Sequence, residues 1–257
     1  MTLPSPLIGI LGGMGPQAGL DMANKLIAMT RTRCDQDHVP FVLISLPETV
    51  PDRTAFLLGR TTTNPASAIT DQFEMMSGMG VSIAVMACNT AHADPIYDVA
   101  MDFLQERGVE LRILHLVRET VAHIATSRPG IRRVGILGTQ GTYQTRLYDQ
   151  ALENAGLQVV VPDADVREND IHAALYAPSF GIKTCPAGVT REAIDRVLSA
   201  ISHLQALGAE ALILGCTELP LAIREEQIDG VPILDPAKII CEKLIRETYP
   251  EKLARQD

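Results

Sequence analysis

The sequence predicts an α/β fold of two similar lobes, each a mostly parallel sheet flanked by helices. Short apolar runs alternate with longer amphipathic stretches along the chain, as expected where helices cover a parallel sheet. The runs are almost continuously apolar rather than alternating, which favours strands that are buried on both faces. The stretches predicted as strands are residues 7–11, 41–46, 82–87, 111–116, 134–137, 157–161 and 211–214.

An internal repeat is the second observation behind this fold class. The residues Leu-Ile-Gly-Ile-Leu-Gly at 7–12 recur as Arg-Val-Gly-Ile-Leu-Gly at 133–138. In each half a later apolar run leads to a cysteine, Cys88 in Cys-Asn-Thr and Cys216 in Cys-Thr. From the first glycine of each repeat to that cysteine the distance is 79 residues in one half and 81 in the other. These matches predict two lobes related by pseudo-twofold symmetry, with the active site between them.

Three polar residues that precede prolines mark predicted helix starts. Asn64, Asp94 and Asp235 each come directly before a proline, so each side chain is expected to cap a helix that begins there. We expect the N-terminal lobe to span residues 1–115 and the C-terminal lobe residues 116–230. Residues 231–257 contain the last of these helices, which is expected to pack back on the first lobe.

Composition argues against several classes of function. The 257 residues carry 22 Lys and Arg against 31 Asp and Glu, and a formal charge of −9 argues against nucleic-acid binding, which needs a basic surface. No apolar run reaches the roughly 20 residues that span a bilayer, and the N-terminus carries no secretory signature. Five widely spaced cysteines do not form a disulfide framework. We therefore expect a cytoplasmic protein with reduced thiols that binds neither membranes nor nucleic acid.

The two cysteines of the repeat suggest acid–base chemistry. Cys88 and Cys216 follow predicted strand ends, where parallel sheets bind ligands, and each precedes a helical pattern. A helix N-terminus lowers a thiol pKa from ~8.5 into roughly the 3.5–7.5 range. Two opposed thiols invert a stereocentre when one removes the proton and the other returns one. A single cysteine is more often a buried structural thiol, so the pairing carries this interpretation.

Five motifs spread over most of the chain belong together. They are Gly-Ile-Leu-Gly-Gly-Met-Gly-Pro at 9–16, Pro-Asp-Arg-Thr at 51–54, Met-Ala-Cys-Asn-Thr-Ala-His at 86–92, Gly-Ile-Lys at 181–183 and Leu-Gly-Cys-Thr-Glu at 214–218. On these motifs the sequence resembles the aspartate/glutamate racemase family, most closely its aspartate racemase branch. The resemblance implies an amino-acid racemase that uses neither pyridoxal phosphate nor a metal. The stretch 184–188 does not align with the family pattern.

The same resemblance implies the site residues. Cys88 and Cys216 would be the two catalytic bases. Arg53 and Lys183 stand where the family has substrate-recognising cations, and a guanidinium suits a carboxylate, which fits a dicarboxylic amino acid. Substrate-binding roles are further implied for Met14, Asn89, Thr90 and Thr217.

Three motifs have alternative explanations. Gly-x-Gly-x-x-Ala at 13–18 matches a dinucleotide fingerprint, but the acidic residue it needs falls before the second strand, so the turn more simply shapes the floor of the site. His92, four residues after Cys88, suits a metal, a hydrogen bond near that thiol, or an ordinary helix histidine. Because no second ligand pair is present, we expect no metal. Glu218 either tunes Cys216 or orients the substrate amine, or it is a helix N-terminal carboxylate.

The expected function is therefore cofactor-independent racemisation of a small amino acid. A hydantoin racemase or maleate isomerase-like enzyme of the same fold is an alternative, as is a non-catalytic protein that binds a small ligand. The choice between aspartate and glutamate and the preferred enantiomer stay open, and the resemblance also allows a homodimer. Cys34, Cys185 and Cys241 are expected to be non-catalytic.

Overall fold

The computed structural model describes residues 6–12, 14–185 and 188–254. The chain divides into two compact units, the first made of Met1–Glu119 with Ala237–Asp257 and the second of Thr120–Pro236. Each unit contains its own sheet. The lobe boundaries near residues 115 and 230 stay a prediction.

The first unit contains four parallel strands: β1 (Leu7–Leu11), β2 (Phe41–Ile44), β3 (Val81–Met86) and β4 (Arg112–Leu114). Their order across the sheet is β2-β1-β3-β4. Strand β1 is therefore an inner strand, and its last residue, Leu11, lies opposite Met86 at the end of β3.

The second unit repeats this order. Its strands are β5 (Arg133–Gly138), β6 (Gln158–Val160), β7 (Ala211–Gly215), β8 (Gln227–Ile228) and β9 (Val231–Leu234). The sheet order is β6-β5-β7-β9-β8, in which only β8 is antiparallel to its neighbour. Strands β5, β6, β7 and β9 thus occupy the places that β1, β2, β3 and β4 occupy in the first sheet. This confirms the two similar parallel sheets that the repeat predicted.

The seven predicted strands are confirmed, and their ends differ from the predicted ones by no more than two residues. The prediction was incomplete in the last segment, where β8 and β9 form a short hairpin that it lacked. Asp229 and Gly230 join these strands with φ angles of 50° and 79°. An Asp-Gly pair is a sequence signal for a two-residue hairpin turn, so this element was readable from the residues.

Helices cover the strands. A π-helical stretch, Arg167–His172, joins two of these helices. Within the described residues, none of the helices has the length and apolar character to cross a membrane. The cytoplasmic location and the homodimer stay predictions. In chain order the helices are α1 (Pro16–Ala28), α2 (Arg53–Leu57), α3 (Ala66–Gly78), α4 (Asp94–Glu106), α5 (Leu116–Ser127), α6 (Gln140–Gln144), α7 (Asp149–Asn154), α8 (Ala164–Val166), α9 (Ala173–Tyr176), α10 (Arg191–Ala206), α11 (Leu219–Ala222) and α12 (Pro236–Thr248).

The three predicted helix starts agree with the structure to within two residues, but one of the predicted side-chain caps is wrong. Asn64 Oδ1 accepts a hydrogen bond from the Ala66 amide at 2.9 Å, at the start of α3. Helix α12 begins at Pro236, as expected. Helix α4 begins at Asp94 itself, and no side chain caps it. Asp94 lies in the first turn, where its charge still favours the helix N-terminus.

Strand β1 shows how both faces of the first sheet are buried. Its side chains point alternately to opposite faces. Leu7 and Leu11 belong to a core cluster that includes residues of α3 and α4. Ile8 and Ile10 belong to a second cluster, which contains residues of α1 and α12. The continuously apolar sequence of this strand follows from cover on both faces.

Glycines at the same place in the two repeats allow close packing. A Cβ at Gly9 would lie 2.8 Å from Val81 Cγ1. A Cβ at Gly135 would clash with Leu212 Cδ2 and lie 3.1 Å from Ala209 Cβ. The repeated glycine is therefore a packing requirement of the inner strands β1 and β5.

We expect Gly135→Ala to lower the free energy of unfolding by about 1–3 kcal/mol, because the added methyl group overpacks the sheet face. Gly130→Ala is the matched control, since a Cβ there meets no atom within 4 Å, and we expect it to change stability by no more than about 0.5 kcal/mol. Urea unfolding of both variants measures the difference. Equal midpoints for Gly135→Ala and the native protein would contradict this packing argument.

Candidate active site

Cys88 lies at the carboxyl edge of the first sheet, two residues after β3 ends. The side chain is buried, and its Sγ is 3.4 Å from Thr90 Oγ1. The segment that follows is a 3-10 turn, Thr90–His92, and α4 begins only at Asp94. The expected position of Cys88 at the N-terminus of an α-helix is therefore wrong.

His92 holds the backbone of Cys88 rather than its sulfur. Its Nδ1 lies 2.8 Å from the Cys88 carbonyl oxygen. A carbonyl can only accept, so Nδ1 carries the hydrogen in this contact. Burial lowers the pKa of His92 to about 4, which keeps the ring neutral near pH 7. Among the described residues, no group of three His, Cys, Asp or Glu side chains is placed to hold a metal ion.

His92 belongs to a buried aromatic group in the first unit. Its ring centroid lies 5.6 Å from that of Tyr97 and 4.8 Å from that of His115. His115 Nδ1 accepts a hydrogen bond from the Arg118 amide at 3.3 Å, at the start of α5. Burial, and then the charges of His92 and Arg118, lower the pKa of His115 to about 2. Both imidazoles are therefore neutral, and both are used to hold backbone.

Two predicted substrate-binding residues of the first unit are in contact. Arg53 Nη2 donates to the Met14 carbonyl oxygen at 2.7 Å, and Nη1 donates to the Pro51 carbonyl at 3.0 Å. Helix α2 begins at Arg53 because Asp52 caps it, accepting from the Ala55 amide at 2.6 Å. The guanidinium thus ties the turn after β1 to the start of α2. Gly13, in the dinucleotide-like motif of that turn, lies outside the described residues.

The second unit brings together four predicted residues at the end of β7. Cys216 follows the strand directly and is buried. Its Sγ donates to Glu218 Oε2 at 3.1 Å, and Thr217 Oγ1 donates to the same oxygen at 3.4 Å. Lys183 Nζ forms a salt bridge with Glu218 Oε1. The thiol, carboxylate and ammonium groups therefore form one continuous polar chain.

The electrostatics of Cys216 contradict the expectation of a lowered pKa. Burial, followed by the charge of Glu218, raises the pKa of this thiol above its ordinary value, although Lys183 acts in the opposite direction. Helix α11, which follows, has only four residues, so its dipole is short. Burial works to lower the pKa of Lys183, but Glu218 outweighs it and the pKa is raised. At neutral pH the group holds a protonated thiol and a charged lysine.

Thr139 is a residue at the carboxyl edge of the second sheet that the sequence argument missed. Gly138 at the end of β5 pairs with Gly215 at the end of β7, so Thr139 and Cys216 leave neighbouring strand ends. Thr139 is buried, and its Oγ1 accepts from the Thr142 amide at 3.2 Å. The signal was present, because Thr139 directly follows the second copy of the repeat.

The remaining predicted residues are placed as follows. Asn89 and Thr90 are buried beside Cys88 in the first unit. Of the other cysteines, Cys34 is exposed, Cys185 is half-buried and Cys241 is buried in the core. In the loop that follows Lys183, residues 186 and 187 lie outside the described part of the chain.

Comparison with known proteins identifies the class. Residues 11–244 match the family described as Asp/Glu/Hydantoin racemase. The chain belongs to this family, and the resemblance seen in its motifs is confirmed.

Particular relatives and structures agree with this assignment. The chain is 27% identical over 251 residues to the broad specificity amino-acid racemase RacX of Bacillus subtilis, which covers 95% of this chain and 98% of that protein. It is 30% identical over 217 residues to the glutamate racemase of Mycobacterium avium, covering 82% of this chain and 66% of that one. The structure of Picrophilus torridus aspartate racemase superposes with a TM-score of 0.80 at 27% identity, over 98% of this chain and 97% of that one.

The buried histidines make stability pH-dependent. The folded-state pKa of His92, about 4, lies below the ordinary 6.5, so the unfolded chain takes up this proton first as pH falls. The stabilisation is complete above about pH 6.5 and is lost toward pH 4, by up to about 1.4 kcal/mol per pH unit for each such histidine. His115 acts in the same direction.

Urea unfolding at several pH values between about 7.5 and 4.5 measures this dependence. We expect His92→Gln to flatten the slope below about pH 6.5, because its amide can still donate to the Cys88 carbonyl without taking up a proton. A variant whose stability falls as steeply as that of the native protein would contradict the assignment to His92.

Proposed function

We propose that this protein is an amino-acid racemase that needs no cofactor, that its substrate is aspartate or glutamate, and that Cys88 and Cys216 transfer the Cα proton. Family membership and the names of the relatives support the reaction class. The observation that carries the proposal is the buried chain of Cys216, Glu218 and Lys183. A thiol that shares its proton with a carboxylate is suited to proton transfer and not only to packing.

Each turnover removes one proton from Cα and returns one. With Cys216 protonated, the Cys88 thiolate takes the α-proton from one face of the substrate and the Cys216 thiol donates to the other. One C–H bond breaks and one forms, so the configuration inverts. Cys88 ends as the thiol and Cys216 as the thiolate, which is the form that acts on the opposite enantiomer.

Glu218 and Lys183 act in opposite directions on the equilibrium between the protonated thiol and the thiolate of Cys216. The carboxylate favours the protonated thiol, because its negative charge opposes a second negative charge nearby. The ammonium of Lys183 favours the thiolate once the proton has left. Since Glu218 anchors Lys183 by a salt bridge, the two opposing charges stay close to the sulfur. The thiol can therefore act as an acid in one direction and as a base in the other.

Positive charge and hydrogen-bond donors support a dicarboxylic substrate. Arg53 is held rigidly by backbone carbonyls, and a guanidinium suits a carboxylate. An ammonium group has three donors, and Glu218 engages one of those of Lys183. We assign Asn89, Thr90 and Thr217 to the α-carboxylate and amino group, with Met14 at the wall formed by the turn after β1. Donors placed there would stabilise the charge that develops as the α-proton leaves.

We expect Cys88→Ser and Cys216→Ser each to reduce racemisation of both enantiomers by at least about 10²-fold, because a hydroxyl is a far weaker acid than a thiol. Cys34→Ser, at an exposed thiol, is the control and should retain activity. Chiral chromatography measures inversion in D₂O, and mass analysis measures deuterium at Cα. Each single variant should still exchange the α-proton of one enantiomer without inverting it, through its remaining thiol.

The same assays, run also with a hydantoin and with maleate as substrates, separate the alternatives. Either serine variant racemising at the native rate would overturn the two-base assignment. Native protein that exchanges no α-proton of any amino acid would favour a binding protein. Turnover of a hydantoin or of maleate, without turnover of amino acids, would favour the other enzymes of this fold.

Glu218→Gln tests the polar chain. We expect kcat to fall by about 10²–10⁴-fold, in the range of a lost acid–base group. Removing the negative charge also lowers the pKa of Cys216, so the limb of the pH–rate profile that reports this thiol should move to lower pH. Glu225→Gln, at an exposed position, is the control. An unchanged pH profile in Glu218→Gln would show that Glu218 does not tune Cys216.

A further inference from the structure

A pocket of about 160 Å³ opens on the second unit, beside the neighbouring strands β5 and β6. None of the residues assigned above to proton transfer or substrate binding lines it. The side chains that matter for its chemistry are Ile136, Tyr143, Arg146, Asp149, Val161 and Arg167.

Arg167 is the most informative group in this pocket. Its guanidinium carbon lies 5.3 Å from the centre of the Tyr143 ring, a cation–π contact. Its Nε is buried and has no hydrogen-bond partner in the described part of the chain. The adjacent carboxylate, Glu168, accepts instead from Gln140 at 2.7 Å. Buried donors are nearly always satisfied, so this guanidinium points to an acceptor that a ligand supplies.

A second guanidinium lines the same pocket. Arg146 has a left-handed backbone, with φ of 50°. Its Nε lies 3.3 Å from Asp149 Oδ2, and its Nη2 lies 2.9 Å from Glu153 Oε1. These two carboxylates orient the side chain. Counting Arg146, Arg167 and Asp149, the charged residues that line the pocket carry a net positive charge.

The other walls define the rest of the ligand. The Tyr143 hydroxyl donates to the Ile136 carbonyl and accepts from the Gly138 amide, both at 3.0 Å, so its hydrogen-bonding capacity is used within the protein. The guanidinium groups of Arg146 and Arg167 are the positively charged donors among the lining residues. Ile136 and Val161 add apolar surface, and Val161 is 45% exposed although it is a large hydrophobic residue. That surface suits a short hydrocarbon stem.

We infer that this pocket binds a small organic carboxylate with a short apolar stem, the carboxylate on Arg167 and the stem against Ile136 and Val161. A planar guanidinium that stacks on a ring keeps the N–H groups at its edge for a carboxylate. A pocket of this volume admits a molecule of only a few carbon atoms. The inference does not rest on the proposed racemase reaction, because neither Cys88 nor Cys216 lines the pocket.

The test is a titration of the ¹⁵N-labelled full chain with butyrate, followed by amide chemical shifts. We expect saturable shifts at Tyr143, Arg146 and Arg167. Arg167→Gln should weaken binding by about 10–100-fold, the range for a lost charge-assisted contact. Arg191→Gln is the control, since this exposed arginine of the same unit pairs with Asp195; it should bind as the native protein does.

A second variant and a second probe complete the test. Val161→Glu adds a carboxylate at an exposed position and should weaken butyrate binding without unfolding the unit. Inorganic phosphate, which has no stem, should bind at least about 10-fold more weakly than butyrate. The inference is wrong if native protein shows no saturable shifts at these residues, if Arg167→Gln binds butyrate equally well, or if phosphate binds as tightly.

Discussion

The buried carboxylate of Glu218 is the electrostatic constraint around which the second unit's site is built. A buried carboxylate costs several kcal/mol unless it is paired, and Lys183 and the Cys216 thiol are its partners. The backbone amide of Lys183 donates to the Leu175 carbonyl at 3.0 Å, so the segment after α9 is folded back to present the ammonium group. Glu218 therefore accounts for the position of the lysine and, together with burial, for the protonated state of the thiol.

The first unit holds its cysteine in a different way. Around Cys88 the structure places the Thr90 hydroxyl and the neutral ring of His92. His92 contacts the carbonyl oxygen of Cys88, so its influence on the sulfur is through position and not through charge. The two sheets share a strand order, yet their cysteines have different electrostatic surroundings. If both transfer protons, each does so with a distinct set of neighbours.

Strand pairing explains which other residues accompany each thiol. Leu11 pairs with Met86, so the turn that contains Met14 leaves the sheet beside the segment that leads to Cys88. Gly138 pairs with Gly215, so Thr139 and Cys216 each follow the end of one of these neighbouring strands. Tight packing at Gly9 and Gly135 keeps the inner strands close to their neighbours. The repeated topology thus delivers one loop and one cysteine to the edge of each sheet.

By itself the sequence determined seven strands but not the β8–β9 hairpin, and it determined the repeat, the family and the location of both cysteines after strand ends. Apolar runs and motif spacing are local properties of the chain. It also pointed to His92 and Glu218 without choosing their roles. Only the tertiary structure decided that the pKa of Cys216 is raised, that no α-helix starts at Cys88, and that Arg53 is bound to the Met14 carbonyl. The physical reason is that desolvation and charge depend on groups distant in the sequence: Lys183 reaches Glu218 across 35 residues, and no local pattern encodes that distance.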